Sequence, residues 1–158
     1  MKVRELMMAP AITITRSTPV GQIARRLVEN GVRGAPVTGD SGELIGIVTE
    51  SDLIVKHAHV HGPTFLGILG GVIPFETRRQ DEEMRRALGV TANDIMTTKA
   101  FSIDPDADVD DAATIMVDEE TRIVVVVESG RVVGTISEAD IVRLLMVEEG
   151  EDDALTTQ

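Results

Sequence analysis

The sequence predicts a mixed α/β (α+β) fold in which two copies of one β-α-β-β-α unit pack as a pseudo-two-fold pair, with a helical insert between them. Three observations carry this. The chain repeats itself: residues 3–37 align with 92–126 at a constant offset of 89, and after a one-residue deletion 38–54 follow as 127–142. Met7/Met96, Ile14/Ile103, Val20/Val109, Ala24/Ala113, Arg33/Arg122, Gly46/Gly134 and Asp52/Asp140 are identical across the copies. Within each copy, short strand-like runs alternate with a helical apolar face. Finally, a unit of about fifty residues that occurs only twice is no solenoid and suggests two copies packed against each other, each covering the other's apolar face.

Each element follows from local chemistry. Ala11-Ile12-Thr13-Ile14 is a short strand. Thr18-Pro19 supplies an N-cap and a first-turn proline, whose missing N–H costs nothing there. Val20, Ile23, Ala24, Leu27 and Val28 then share one helical face, and Gly31 ends the helix. Ala35-Pro36-Val37 and Leu44 to Thr49 are strands around the turn Gly39-Asp40-Ser41-Gly42, and a helix begins near Glu50. The second copy repeats the plan through Phe101–Ile103, Val109–Val117, Ile123–Val127, Val132–Ser137 and Glu138–Val147. Its continuously apolar run Ile123 to Val127 is expected of a strand buried on both faces. The chain thus divides into repeat 1 (1–60), an insert (61–91), repeat 2 (92–147) and an acidic disordered tail (148–158). The insert joins a Gly-rich apolar run, Phe65 to Ile73, to a charged helix near Glu76 to Leu88. That apolar run is either a partner surface or filler against the core.

Composition excludes several classes of function. The chain has 158 residues, 42% of them hydrophobic, enough for a core and too many for global disorder. Without cysteine there are no disulfides, thiolate metal sites or Cys nucleophile. The net charge of −12 is concentrated: residues 1–91 hold 11 basic and 10 acidic side chains, residues 92–158 hold 4 and 17. Such a balance argues against sequence-independent binding to nucleic acid. The longest apolar stretch, Phe65 to Pro74, is too short for a membrane span and contains three glycines. Met1-Lys2-Val3-Arg4-Glu5 leads into no signal-peptide core, so a cytoplasmic location is expected.

Each copy closes its hairpin on a matched phrase, Gly46-Ile47-Val48-Thr49-Glu50-Ser51-Asp52 and Gly134-Thr135-Ile136-Ser137-Glu138-Ala139-Asp140. A hydroxyl residue leaves a strand and opens a helix, with a carboxylate three residues on. A capping box explains that spacing by itself. The same geometry also suits a nucleotide: the hydroxyl and free N–H groups of a helix N-terminus take phosphate, and the carboxylate accepts hydrogen bonds from ribose hydroxyls.

The repeat resembles the cystathionine-β-synthase (CBS) domain, and the two copies resemble a tandem CBS pair, or Bateman module. The resembling phrases are Arg4-Glu5-Leu6-Met7 and Asn93-Asp94-Ile95-Met96, Thr18-Pro19-Val20, Val32-Arg33-Gly34-Ala35-Pro36-Val37, and both Gly-x-x-[Thr/Ser]-x-x-Asp endings. They span roughly residues 3–56 and 92–146. The resemblance implies a non-catalytic, homodimeric regulatory module that binds adenosine-containing ligands (AMP, ADP, ATP or S-adenosylmethionine) in clefts between the copies. Carried over, one cleft would use Ile12, Val32, Arg33, Gly34 and Pro36 with Ser137 and Asp140. The other would use Phe101, Thr121, Arg122 and Ile123 with Thr49 and Asp52. Asp52 and Asp140 would hold ribose hydroxyls, Thr49 and Ser137 the phosphate side, and the strands the adenine. Arg33 and Arg122 are candidates for neutralising phosphate. Repeat 2 departs from the family by lacking the proline in Thr121-Arg122-Ile123-Val124-Val125.

Other features are weaker. His57, His59 and His61 share one face if extended, which would make a zinc or nickel site and a metal-responsive regulator. No nearby carboxylate pattern completes it. The acids from Asp104 to Asp111 lack the glycine and bidentate glutamate of a calcium loop and read as a helix cap and first turn. Arg78 to Arg86 is explained as a solvated face with Asp81–Arg85 and Glu82–Arg86 spacing. Phosphate-loop, nucleophile-elbow and metalloprotease signatures are absent, so no enzyme is expected. The competing reading is an interaction or assembly protein, with an unidentified protein target, whose matched phrases are capping boxes only.

Overall fold

The computed structural model describes residues 1–59 and 90–155, with side-chain surroundings for 1–54 and 90–146. The apolar run Phe65–Ile73, the charged helix Glu76–Leu88 and His61 lie outside the described residues. In chain order the elements are α1 (Val3–Leu6), β1 (Ile14–Thr15), α2 (Val20–Asn30), β2 (Gly34–Thr38), β3 (Leu44–Thr49) and α3 (Glu50–His59). They are followed by α4 (Ala92–Ile95), β4 (Ser102–Ile103), α5 (Val109–Asp118), β5 (Ile123–Glu128), β6 (Arg131–Ser137) and α6 (Glu138–Leu155). The fold is α+β, with two three-stranded sheets ordered β1-β2-β3 and β4-β5-β6.

The chain forms two compact units whose boundaries differ from those of the repeats. One is Ile12–Lys99, and the other combines Met1–Ala11 with Ala100–Gln158. We call them the repeat-1 and repeat-2 units, after the sheet each contains.

The sheets repeat one plan. The first pairing in each is parallel, Ile14 opposite Val37 and Ile103 opposite Val126, and the second is an antiparallel hairpin. Gly34 lies opposite Thr49 and Ile123 opposite Ser137, so the registers match at both strand ends. The one-residue deletion is therefore taken up in the hairpin loop. Thr38 faces Leu44 in one copy and Val127 faces Val132 in the other. The shorter turn uses Ser129 and Gly130, both at positive φ, as a two-residue hairpin loop requires.

Reciprocal docking of the short helices gives the units their boundaries. In the repeat-2 unit, Val3 N–H donates to Ala107 C=O (3.0 Å), Arg4 N–H to Pro105 C=O (2.9 Å) and Val109 N–H to Met1 C=O (3.1 Å). In the repeat-1 unit the equivalent bonds run from Ala92 to Thr18 (2.9 Å), Asn93 to Arg16 (3.0 Å) and Val20 to Val90 (3.0 Å). Each docked segment continues along the outer hairpin strand. Met8 and Thr135 exchange backbone bonds of 2.8 and 3.1 Å, and Ile47 and Thr97 exchange two of 2.9 Å. Gly134 and Gly46 permit this approach: an added Cβ would lie 2.9 Å from Met8 O or from Thr97 O.

The cores cross the repeat boundary too. Val3 is buried with Ile103, Ala112, Met116, Val124, Val126 and Ile136, and Ala92 with Ile14, Ile23, Leu27, Ala35, Val37 and Val48. Burying each large aliphatic side chain contributes about 1.5–3 kcal/mol.

Three local expectations are revised. Thr18 does not cap α2; Pro19 holds the N-cap position, while Thr18 Oγ1 accepts from Thr15 N–H (3.0 Å) and closes the turn before it. The expected tail is helical as far as Leu155, where alanine, leucine and glutamate favour that state. The first strand of each copy has only two residues, because only Ile14-Thr15 and Ser102-Ile103 reach a partner strand. Gly31 does end α2 in the left-handed conformation, at φ 63°.

Candidate functional site

Each unit presents one strand-to-helix turn beside the start of the neighbouring strand. In the repeat-1 unit, Thr49 ends β3 and Glu50 opens α3. Asp52 Oδ2 accepts from Thr49 N–H (2.7 Å) and Thr49 Oγ1–H (2.9 Å), and Asp52 N–H donates back to Thr49 Oγ1 (3.4 Å). The capping box is thus formed. Beside it, Glu50 N–H donates to Arg33 C=O (2.9 Å), so Val32-Arg33-Gly34 lies against Thr49-Glu50. Arg33 is exposed, whereas Gly34 and Pro36 are buried.

The repeat-2 unit builds the same turn with different side chains. Asp140 Oδ2 accepts from Ser137 N–H (2.8 Å) and Ser137 Oγ–H (2.6 Å). Glu138 N–H donates to Arg122 C=O (3.1 Å), and the Arg122 and Glu138 side chains make a loose, exposed ion pair at 3.9 Å. Thr121 Oγ1 donates to Ile123 C=O (3.0 Å), which fixes the strand start.

The structure therefore brings Val32, Arg33 and Gly34 beside Thr49 and Asp52, and Thr121, Arg122 and Ile123 beside Ser137 and Asp140. Ile12 and Phe101 sit just before β1 and β4. The grouping of Arg33 with Asp140, and of Arg122 with Asp52, joins residues of different units.

The missing family proline has a structural counterpart. Val125 occupies in β5 the position that Pro36 occupies in β2, and its N–H donates to Phe101 C=O (2.9 Å). Pro36 has no N–H to offer, so that bond cannot form to the equivalent carbonyl, Ile12 C=O.

Two participants escaped sequence reasoning. Arg143 Nη1 donates to Asp140 Oδ1 at 2.7 Å, and Val55 stands at the equivalent position of repeat 1. An arginine three residues after an aspartate in a helix reads as an ordinary solvated pair, so its only signal was this difference between the copies. Glu120, just ahead of Thr121, has φ 51° where repeat 1 has Gly31. The mismatch Gly31/Glu120 was visible in the alignment.

The acids of repeat 2 are used structurally. Asp108 stands at the N-cap of α5 with Asp110 and Asp111 in its first turn. Lys2 Nζ donates to Asp108 Oδ1 (2.9 Å), and Arg4 Nε to Asp106 Oδ1 (2.6 Å). The hydrogen bond to Lys2 holds the Asp108 carboxyl below its ordinary range, and the hydrogen bond to Asp108 raises Lys2. Asp106 likewise raises Arg4. Among the described residues no group of three or more His, Asp or Glu is placed to hold a metal ion. α3 is helical through His59, so the extended backbone on which the histidine alternation depends is not the backbone of 57–59. The histidine side chains lie outside the described residues. No helix among those residues is long and apolar enough to cross a membrane.

A repeated β-α-β-β-α unit whose hairpin ends on a Thr/Ser-x-x-Asp turn defines the class. The chain belongs to the CBS-domain family, which matches residues 3–58 and 92–147. The uncharacterized protein MJ1426 of Methanocaldococcus jannaschii is 30% identical over 156 residues, covering 92% of either chain. The solved CBS domain pair of protein MJ0100, in complex with 5′-methylthioadenosine and S-adenosyl-L-methionine, is similar with a TM-score of 0.70. That similarity holds at 23% identity over 94% of this chain and 98% of that one. CBSX2 in complex with AMP is similar with a TM-score of 0.68 at 21% identity, over 94% and 98%. At these identities the structures establish the fold, and the ligands are those of the two neighbours.

Proposed function

We propose that this chain is a non-catalytic regulatory module that binds an adenosine-containing ligand: AMP, ADP, ATP or S-adenosylmethionine. The observation that carries the reading is the duplicated turn. In both units a hydroxyl, a carboxylate and an arginine-bearing strand start are held by the same backbone bonds. In this reading Asp52 and Asp140 accept ribose hydroxyls. Thr49 and Ser137 face phosphate, and Arg33 and Arg122 balance its charge. The strand starts and the residues before β1 and β4 take the base. The two similar proteins solved with adenosine compounds support the ligand class. Binding regulates only if the ligand distinguishes two conformations, since equal affinity shifts nothing.

A thermal-melt panel tests this, with AMP, ADP, ATP, S-adenosylmethionine and GTP against wild type, Asp52→Ala and Asp140→Ala. A ligand at a hundred times its dissociation constant stabilises by about 2.7 kcal/mol. The expected result is a rise in Tm with adenosine compounds that one or both variants lose. A flat panel at millimolar ligand would overturn the reading in favour of an assembly protein whose turns are capping boxes only. Pairing Arg33→Ala and Arg122→Ala with each aspartate variant decides which arginine serves which carboxylate. Residues in one site couple, and residues in separate sites add.

The exposed apolar residues support a homodimer. Val28 and Val117 occupy equivalent positions on α2 and α5 and are 80% and 76% exposed, and Ile54 and Val142 form a second exposed pair on α3 and α6. Duplicated apolar exposure on both helix pairs fits burial against a second copy. Val28→Glu with Val117→Glu is expected to convert the dimer to a monomer in sedimentation.

A further inference from the structure

We infer that Arg143 is a latch on the repeat-2 seat, competing with ribose for the Asp140 oxygen that the turn itself leaves open. The inference rests on the nucleotide reading above and deepens it. A ribose offers two vicinal hydroxyl donors, and a carboxylate meets them with acceptor positions that are not already used. In both seats Oδ2 is engaged twice by the hydroxyl residue, through its backbone N–H and its side chain. What remains is Oδ1. On Asp140 that oxygen accepts from Arg143 at 2.7 Å. The latch is built to open, because Asp140 is only 17% exposed while the arginine lies outside it at 71%. A ligand entering this seat must share Oδ1 with a guanidinium or push it into solvent.

Displacing an exposed ion pair at this spacing is a modest penalty, corresponding to about a two- to five-fold loss of affinity. Salt screens the pair, so the penalty shrinks as ionic strength rises. Arg143 is in this view a positioning residue that acts through Asp140.

The test is calorimetric titration with AMP, using Asp52→Ala to leave the Asp140 seat alone and Asp140→Ala to leave the Asp52 seat alone. Arg143→Val, in the Asp52→Ala background, is expected to tighten the Asp140 seat about two- to five-fold and to remove the relative gain in high salt. Arg143→Lys restores part of the penalty. Unchanged or weaker binding on Arg143→Val overturns the latch while leaving the nucleotide reading in place. Absence of AMP binding in both backgrounds overturns the nucleotide reading itself, and the latch with it.

Discussion

The two units are built on the same backbone and differ in what holds their docked segments. In the repeat-2 unit the segment around α1 is clasped by three backbone bonds and by the pairs Lys2–Asp108 and Arg4–Asp106, with Arg4 also reaching Glu128 at 3.3 Å. In the repeat-1 unit three equivalent backbone bonds hold α4, but the corresponding residues are Thr91, Asn93, Ser17 and Pro19, none of them charged. Conserving the backbone bonds while exchanging the side chains separates two jobs. Backbone and glycine fix where the segment lies, and side-chain charge adjusts how its attachment responds to pH and salt.

The largest expected effect attacks the shared part. Gly46→Ala and Gly134→Ala each put a Cβ within 3.0 Å of a backbone oxygen and a methionine sulfur. Each is expected to cost about 1–3 kcal/mol, measured by denaturant unfolding. Nearly equal losses would confirm that the two clasps share one backbone logic. The capping boxes come next: Asp52→Ala and Asp140→Ala are each expected to cost about 0.5–2 kcal/mol without ligand.

A smaller effect distinguishes the helix ends. Glu120 adopts φ 51° where Gly31 adopts 63°, a conformation that costs a residue with a Cβ. Glu120→Gly is expected to stabilise by a few tenths to about 1 kcal/mol, and Gly31→Glu to destabilise by a similar amount. Opposite signs in thermal unfolding would confirm the assignment.

The smallest effect is electrostatic and confined to one clasp. Because Asp108 is held low, its contribution is present above the ordinary carboxylate value and is lost as pH falls through its depressed one. Lys2 is raised, so its contribution is present below the ordinary ammonium value and is lost as pH climbs through the elevated one. Hydrogen exchange at Val3 and Arg4 should therefore accelerate in acid, in strong alkali and in high salt, relative to Ala92 and Asn93 after correction for intrinsic rates. Equal responses at both clasps would remove the charge argument.

Much of this was legible from residues alone. The hairpin strands and the long helices α2 and α5 announce themselves by apolar period and by turns such as Gly39-Asp40-Ser41-Gly42, and the duplicated Thr/Ser-x-x-Asp by its spacing. The reciprocal docking was not legible, because Arg4-Glu5-Leu6-Met7 and Asn93-Asp94-Ile95-Met96 are single turns. Local pattern states what such a turn is, but not which copy it packs against. Thr18 was misplaced for a related reason: a hydroxyl one residue before a helix suits either a cap or a closing turn. The latch was hidden because an exposed arginine carries no burial signature.

The interleaving of segments also bears on how the molecule can be divided. A cut between residues 59 and 90 separates the two repeats but leaves each piece holding the other's missing edge. Fragment 1–59 keeps Met8 and loses Thr97, while fragment 90–158 keeps Thr97 and loses Met8. Neither half is therefore a self-sufficient module, and the two together are a complementation pair. Produced alone each should remain incomplete, and mixed they should reconstitute the whole by exchanging the strips that the intact chain exchanges with itself.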